Sequence, residues 1–319
     1  MTVLSRREFG RALVAAAPVA ALFGSAVLSA RARVTVGVST SSFRDLPRVA
    51  GADNIDDVVR AVRAVKATHI ELALANLEPA PPSTSPTNGG SPGYPQLIVL
   101  TPAQIAAIEA EYRRSLRAWR LESGPEVFDA VRAKLVAAGL TVHGCATSFD
   151  DSWTDEEIDA IFMQVKALGA TTVSSPMTLA IAARLVPFAE RHRMNVAIHN
   201  EVGGSSSIAM PQMKQALALS RAFSVKFDAG NVTASNADAI AELRGCQSRL
   251  AYVLMKDRLR NGGASQYFGE GDTPIAAVLD DLQSSVAPVP AIVQYDYVGL
   301  HSSVDEVRAS LAYVAQTIG

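Results

Sequence analysis

The sequence predicts a closed (β/α)₈ TIM barrel, a single α/β domain with a long insertion after its second strand. Two observations point to it. From Val34 onward, short β-branched runs alternate with amphipathic helical runs, the signature of parallel βα units. Eight strand runs can be counted, which favours closure into a barrel. A third observation weighs against the alternative, an open doubly wound sheet: no glycine-rich turn follows the first strand, where such a sheet would bind a dinucleotide.

The strand runs, in order, are VTVGVS (34–39), HIELAL (69–74), TVHGCA (141–146), TTVSS (171–175), NVAIHN (195–200), SVKFDA (224–229), AYVLMK (251–256) and AIVQYD (291–296). Helical periodicity covers 55–66, 126–138, 155–168, 179–191, 211–220, 237–243 and 274–282, and a last helix, 304–318, closes the chain. The second unit departs from this rhythm. Residues 76–96 are crowded with proline, serine, threonine and glycine, and an extra helix is expected over 102–121. In a barrel this insertion leaves from the carboxyl-end face, so it is either a lid over the site or a solvated insertion.

Composition narrows the function classes. The 319 residues are 49% hydrophobic and 19% charged, enough for a full core and too apolar for disorder. The formal charge of −2 argues against a nucleic-acid partner, which needs a basic face. Two cysteines, Cys145 and Cys246, are too few for a disulfide framework and read as small buried hydrophobes or one pair.

The amino terminus reads as an address. Ser5-Arg6-Arg7-Glu8-Phe9 precedes an alanine-rich, weakly apolar run and the small-residue site Ala30-Arg31-Ala32. This is the pattern of a twin-arginine signal over residues 1–32, leaving 33–319 as one barrel domain. It implies the twin-arginine translocase as a partner during export and a periplasmic protein with no stable membrane anchor, since Pro18 and Gly24 interrupt the apolar run. Loss of the leader makes the remainder more acidic, because Arg6, Arg7, Arg11 and Arg31 leave with only Glu8.

Period-two alternation then shows which strand residues share a face. On strand two His69 and Glu71 align, and on strand five Ala197, His199 and Glu201. Lys226 and Asp228 share a face of strand six, Tyr252, Leu254 and Lys256 of strand seven, and Ile292, Gln294 and Asp296 of strand eight. Most of these residues end their strand, so they converge on one mouth, and several titratable groups from different strands indicate a site.

The same segments resemble the sugar phosphate isomerase/epimerase family of the xylose-isomerase-like barrels. The resemblance lies in VAIHNE (196–201), KFDAGN (226–231), LMKDR (254–258), FGEGDTP (268–274) and VQYDY (293–297), and extends through 115–140 and 304–314. It implies a divalent metal (manganese, magnesium or zinc) held by strands five to eight, with the vicinal oxygens of a small carbohydrate-like substrate upon it. Against the family's strand ends, His199 and Asp228 are kept, while Glu201, Asn231, Leu254 and Gln294 stand where a histidine, a histidine, a histidine and a glutamate are usual. Leucine cannot ligate a metal, and a neutral amide does so poorly. The expected metal set is therefore reduced to His199, Asp228 and Glu201, a weak or vacant site, and the protein can instead be metal-independent. In that case His199 is the natural base and Lys256 the natural cation for an oxyanion, unless Lys256 merely pairs with Asp257.

The expected catalytic residues are thus His199, Lys256, Asp228 and Glu201. Glu71, Trp153, Asn231, Arg258, Gln294 and Asp296 are expected to bind substrate. Structural readings stand beside these: a salt bridge for Glu71, packing between helices for Trp153 (and for Trp119), and solvated loop charge for Arg258 and Arg260. His143 reads as a core histidine, and the acidic residues around Trp153 as a helix cap and first turn. The function expected is proton transfer beside a sugar carbonyl: isomerisation, epimerisation or β-elimination from a keto-sugar. The competing class is a barrel that binds a sugar or partner without turnover. A DNA-repair endonuclease of the same superfamily would need a multi-zinc cluster, which five histidines and Leu254 do not supply.

Overall fold

The computed structural model of the chain describes residues 34–318 apart from 86, 90–95, 204–206 and 286, so the expected export signal lies outside the described residues. Eight parallel strands close a barrel: β1 (Val36–Ser39), β2 (His69–Ala73), β3 (Thr141–Ala146), β4 (Thr172–Ser175), β5 (Asn195–His199), β6 (Phe223–Asp228), β7 (Leu250–Met255) and β8 (Ala291–Val293). Each strand pairs with its sequence neighbours, and β1 pairs with β8 to shut the ring. All eight match the strand runs read from the sequence. β8 is the shortest because the chain leaves the sheet at Gln294, whose amide still reaches the Met255 carbonyl while that of Tyr295 turns to the Ser42 hydroxyl.

The helices are α1 (Ile55–Ala64), α2 (Pro102–Glu122), α3 (Pro125–Ala137), α4 (Asp155–Ala167), α5 (Leu179–His192), α6 (Met210–Leu217), α7 (Ala229–Ala234), α8 (Ala239–Cys246), α9 (Ile275–Gln283) and α10 (Ser303–Ile318). Only α7 was not expected, since six residues are too few to show a period. It starts at a strand end because the Asp228 carboxylate caps the Asn231 amide.

Alternation along the strands builds two cores. Ile70, Leu72, Val173, Val196, Val225, Phe227, Val253 and Val293 face outward and are buried under helix residues such as Val62, Leu135, Ile158, Leu185, Leu279 and Val307. The inward residues include a separate apolar cluster of Tyr252, Leu254 and Ile292, in register with the polar Lys226 and Asp228 of β6. Gly144 admits the Tyr252 ring, because a Cβ there would lie 3.2 Å from it.

One irregularity changes a side-chain assignment. Between β2 and β3 the register passes from Ile70↔Val142 to Glu71↔Gly144, so His143 is the extra residue of a bulge. Its ring meets His69 near the start of the barrel, Nδ1 of His69 lying 2.9 Å from Nε2 of His143.

The insertion is fastened rather than buried: α2 has no buried residue and begins with a Thr101/Gln104 capping box. Near its far end Arg120 reaches Glu78 (2.8 Å) and Glu157 (3.3 Å) and covers the Trp153 ring at 3.7 Å. Trp153 is 6% exposed and also meets Phe149 edge-on, so it packs between elements and offers no face to a sugar. Thr154, with Glu157, forms the cap of α4 that the neighbouring acids were expected to supply. Both cysteines are buried and free. Among the described residues no helix is long and apolar enough to cross a membrane.

Candidate active site

The residues at the carboxyl ends of β5 to β8 meet as a chain of charges. His199 ends β5, Asp228 ends β6, Lys256 follows β7 and Asp296 lies just beyond β8. Nε2 of His199 is 3.0 Å from Oδ2 of Asp228, and the Lys256 ammonium is 2.9 Å from that same oxygen. Nζ also lies 2.9 Å from Oδ2 of Asp296. The pairing of Lys256 with Asp257, the alternative to a role at the mouth, does not occur. Asp257 instead accepts backbone N–H groups of Gly269 (2.7 Å), Gly271 (3.0 Å) and Thr273 (3.1 Å), which makes FGEGDTP a clamp wrapped on that carboxylate. A Cβ at Gly271 would fall 2.2 Å from the Asp257 oxygen, so only glycine allows the wrap.

Burial and neighbours set the protonation states. Desolvation would raise the Asp228 carboxyl, but Lys256 and His199 hold it well below the usual carboxylate range. Burial opposes the charge of Lys256, yet Asp228 and Asp296 raise its ammonium above the ordinary lysine value. His199 is lowered from its ordinary value, chiefly by burial and then by the charge of Lys226, against the pull of Asp228. A neutral His199 beside an ionised Asp228 carries its proton on Nε2, which leaves Nδ1 as the base nitrogen. Nδ1 faces Glu201, 3.5 Å from its Oε1, and that side chain is 36% exposed.

The other expected binding residues divide. Asn231 donates to the Asn200 carbonyl (3.0 Å) and to Glu201 (3.3 Å), and accepts from Arg258 (2.6 Å). Arg258 also grips the Gly263 carbonyl, so this guanidinium orients the mouth loops. Gln294 donates to the Ser41 hydroxyl at 2.8 Å. Asp296 keeps a second oxygen, Oδ1, that is buried and without a hydrogen-bond partner among the described residues.

Glu71 does not reach the mouth. It is 0% exposed, and its carboxylate takes hydrogen bonds from Tyr252 (2.5 Å), Ser39 (2.8 Å) and Ser174 (3.0 Å) and an ion pair with Lys226 (2.6 Å). Burial would raise its pKa, but Lys226 and the hydroxyls bring it down to about 2. Lys226 is the residue sequence reasoning undervalued: its shared face with Asp228 was visible, but not its partner on the opposite wall of the barrel.

A single ion cannot use the set His199, Asp228 and Glu201. Asp228 lies on the Nε2 side of the imidazole and Glu201 on the Nδ1 side, and the two lone pairs of one ring diverge. Asp228 is also occupied, its Oδ1 by the Asn231 amide and its Oδ2 by His199 and Lys256. Among the described residues no group of three histidine, cysteine, aspartate or glutamate side chains is placed to hold a metal. The donor set therefore does not fit a divalent cation in this arrangement.

No family model matches this sequence, and no curated protein does. Solved structures do resemble it. A xylose isomerase domain protein from Planctomyces limnophilus is 14% identical, covering 89% of this chain and 96% of its own, with a TM-score of 0.57. A sugar phosphate isomerase/epimerase from Parabacteroides distasonis is 12% identical over 90% and 97%, at 0.53. The probable 3-DHS dehydratase involved in petrobactin synthesis in Bacillus anthracis is 11% identical over 88% and 98%, at 0.58. These likenesses agree with the fold seen here, a closed (β/α)₈ TIM barrel.

Proposed function

We propose that this chain is a periplasmic carbohydrate-modifying enzyme that moves a proton beside a sugar carbonyl, as an isomerase, an epimerase or a keto-sugar lyase. The observation that carries the reading is the His199–Asp228–Lys256–Asp296 chain at the carboxyl-end mouth, buried except at Asp296, where barrels of this kind place their chemistry. The isomerase/epimerase and dehydratase named among the structural neighbours give it support, since all three outcomes pass through the same enediolate.

Asp228 holds His199 in the tautomer whose Nδ1 is a free base. Nδ1 takes the proton from the carbon beside the carbonyl, and the C–H pair becomes the new C=C bond as the carbonyl oxygen gains charge. An ammonium has three N–H bonds, and Lys256 uses two on Asp228 and Asp296. The third donates to the developing oxyanion. Returning the proton to the former carbonyl carbon, while the adjacent hydroxyl gives its own proton to the oxyanion and becomes the new carbonyl, isomerises the sugar; delivery of a proton from solvent to the opposite face of the original carbon epimerises it. Expulsion of a β-substituent, protonated as it leaves, gives the lyase. Glu201, the most open group of the mouth, passes protons between Nδ1 and solvent.

Unphosphorylated ketoses and keto-sugars incubated with the protein in heavy water test this reading. Deuterium should enter beside the carbonyl, and His199→Ala should lose that exchange. A second reading, a barrel that binds sugars without turnover, draws on Leu254, which is buried against Ile292, and on Gln294, which is engaged by Ser41. Saturable binding with no exchange in any substrate would favour it. Localisation is tested separately: Arg6→Lys with Arg7→Lys should retain the precursor in the cytoplasm, because lysine keeps charge but not guanidinium geometry. Unchanged delivery of that variant to the periplasm would remove the export assignment.

A further inference from the structure

We propose that this chain pairs with a second copy of itself across the carboxyl-end face, the apolar tip of the loop after β8 on each copy entering an apolar groove beside α2 of the other. The proposal goes beyond the reaction at the mouth and does not depend on it. The groove has a volume of about 490 Å³ and is formed by Ala50 and Gly51 from the loop after β1, Pro79 and Ala80 from the loop after β2, and Ile108 and Leu116 of α2. It is preformed. The amide of Gly51 donates to the Ala80 carbonyl (3.1 Å) and that of Ala80 to the Ala52 carbonyl (3.0 Å), which ties the two loops together. The Tyr112 hydroxyl donates to the Pro79 carbonyl at 2.9 Å and holds α2 against them. Along α2, Ile105, Ile108, Tyr112, Leu116 and Trp119 recur at helical spacing yet none is buried, so the chain covers this apolar stripe only in part.

The matching tip is Val298 and Leu300, 98% and 88% exposed, the two most exposed large apolar side chains among the described residues. Their exposure is built in. The amide of Gly299 donates to the Tyr295 hydroxyl (3.1 Å), that of Leu300 to the Tyr267 hydroxyl (3.2 Å) and that of His301 to Glu306 (3.1 Å), so the backbone is stapled inward and both side chains are held out. A rigid tip and a preformed groove have little left to order when they meet, which removes one of the main costs of association.

Tip and groove belong to one face, joined by the loop after β1. At one end of that loop Arg44 donates to the Tyr297 carbonyl (2.7 Å) and Asp45 accepts the Ser303 amide (2.9 Å); at the other, Ala50 and Gly51 line the groove. A two-fold axis over this loop would carry each tip toward the partner's groove and close the pair, leaving neither element over to propagate a fibre. Charge is complementary in the same sense. Beside the tip, Arg44 lies over the Tyr295 ring and makes no ion pair among the described residues. Glu111 is the charged residue of the groove lining, and its only ion pair, with Arg114, is an exposed one of the kind that exchanges readily. A second copy thus offers the groove an apolar filling and its carboxylate a cation.

Sedimentation velocity of the purified protein across a concentration series tests the proposal. The native chain should be a dimer. Val298→Asp with Leu300→Asp should weaken pairing at least about thirtyfold, the mark of a hot-spot contact. Ala50→Arg, which fills the groove from an exposed position, should weaken it similarly, and neither substitution removes a buried side chain, so both variants should keep the native circular dichroism. Glu111→Arg, which sets like charge against Arg44, replaces Ala50→Arg if that variant fails to fold. The two variants mixed should associate more tightly than either alone, because an intact tip then meets an intact groove. A native chain that stays monomeric at every concentration overturns the proposal, including one whose groove takes up an apolar dye. So does a dimer indifferent to both variants, or a mixture that gains nothing over its components.

Discussion

The barrel contains two buried lysine–carboxylate pairs of the same chemistry and opposite character. At the floor, Glu71 and Lys226 are sealed by Tyr252, Ser39 and Ser174, whose three hydroxyls with the Lys226 ammonium place four donors on one carboxylate. At the mouth, Asp228 and Lys256 extend to His199 and Asp296; Nδ1 of His199 faces Glu201 at 3.5 Å, and among the described residues one N–H of Lys256 and Oδ1 of Asp296 are left without a partner. A buried carboxylate with donors on both oxygens and no exposure, as at Glu71, serves to hold the fold together. One with valences left over, at an open end, can act on a ligand.

The largest effect should come from unbalancing the floor. Lys226→Met leaves Glu71 charged, buried and without its cation, and should cost about 3–5 kcal/mol in urea unfolding. Lys256→Met should cost distinctly less, since Asp228 keeps His199 and the Asn231 amide and lies at the open end. Equal losses at the two lysines would erase the distinction between the pairs.

The mouth should answer in rate. His199→Ala is expected to lower turnover roughly 10²–10⁴-fold, the range for losing a positioned general base, while the urea midpoint shifts little. A large loss of stability with intact turnover would place His199 with the floor.

Acidity separates the pairs further. Glu71 has a folded pKa of about 2 against an ordinary value of 4.5, so its stabilisation is full above the ordinary value and disappears as pH falls toward 2. His199 is depressed, so it stays an unprotonated base below the ordinary histidine value of 6.5, and the acid limb of kcat/KM should lie under that value. Burial is the larger cause and the Lys226 charge the second, so Lys226→Met should move the limb upward wherever the variant stays folded. A limb that does not move would mean that floor and mouth are electrostatically separate.

The smallest expected effect tests the packing under the floor. Gly144→Ala brings a Cβ to 3.2 Å from the Tyr252 ring and should cost about 1 kcal/mol, with kcat and KM unchanged. A change in KM would indicate that Tyr252 communicates with the mouth.

Much of the fold was legible in the sequence because β-branched runs and their alternation register burial directly. All eight barrel strands overlap the runs read from the chain, and the helix over 102–121 falls within α2. The mouth was legible in part, since strand-end parity put His199, Asp228, Lys256 and Asp296 on one face before any distance was known. Glu71 was misplaced by the same parity. Alternation says that a residue points inward but not how deep it lies, and nothing local reveals that Tyr252 and Lys226 reach it from the other side of the barrel. Trp153 was misjudged because its cover, Arg120, comes from the insertion, whose docking leaves no periodic trace.

By itself, then, the sequence determined the barrel, the residues that point into it and the strand ends from which they project, because backbone alternation is a local property. Only the tertiary structure decided which charges meet. The side chains that fill the valences of Glu71 and leave those of Asp296 open come from strands whose relative stagger is fixed by closing the ring. That stagger is a property of the whole sheet, and no stretch of sequence encodes it.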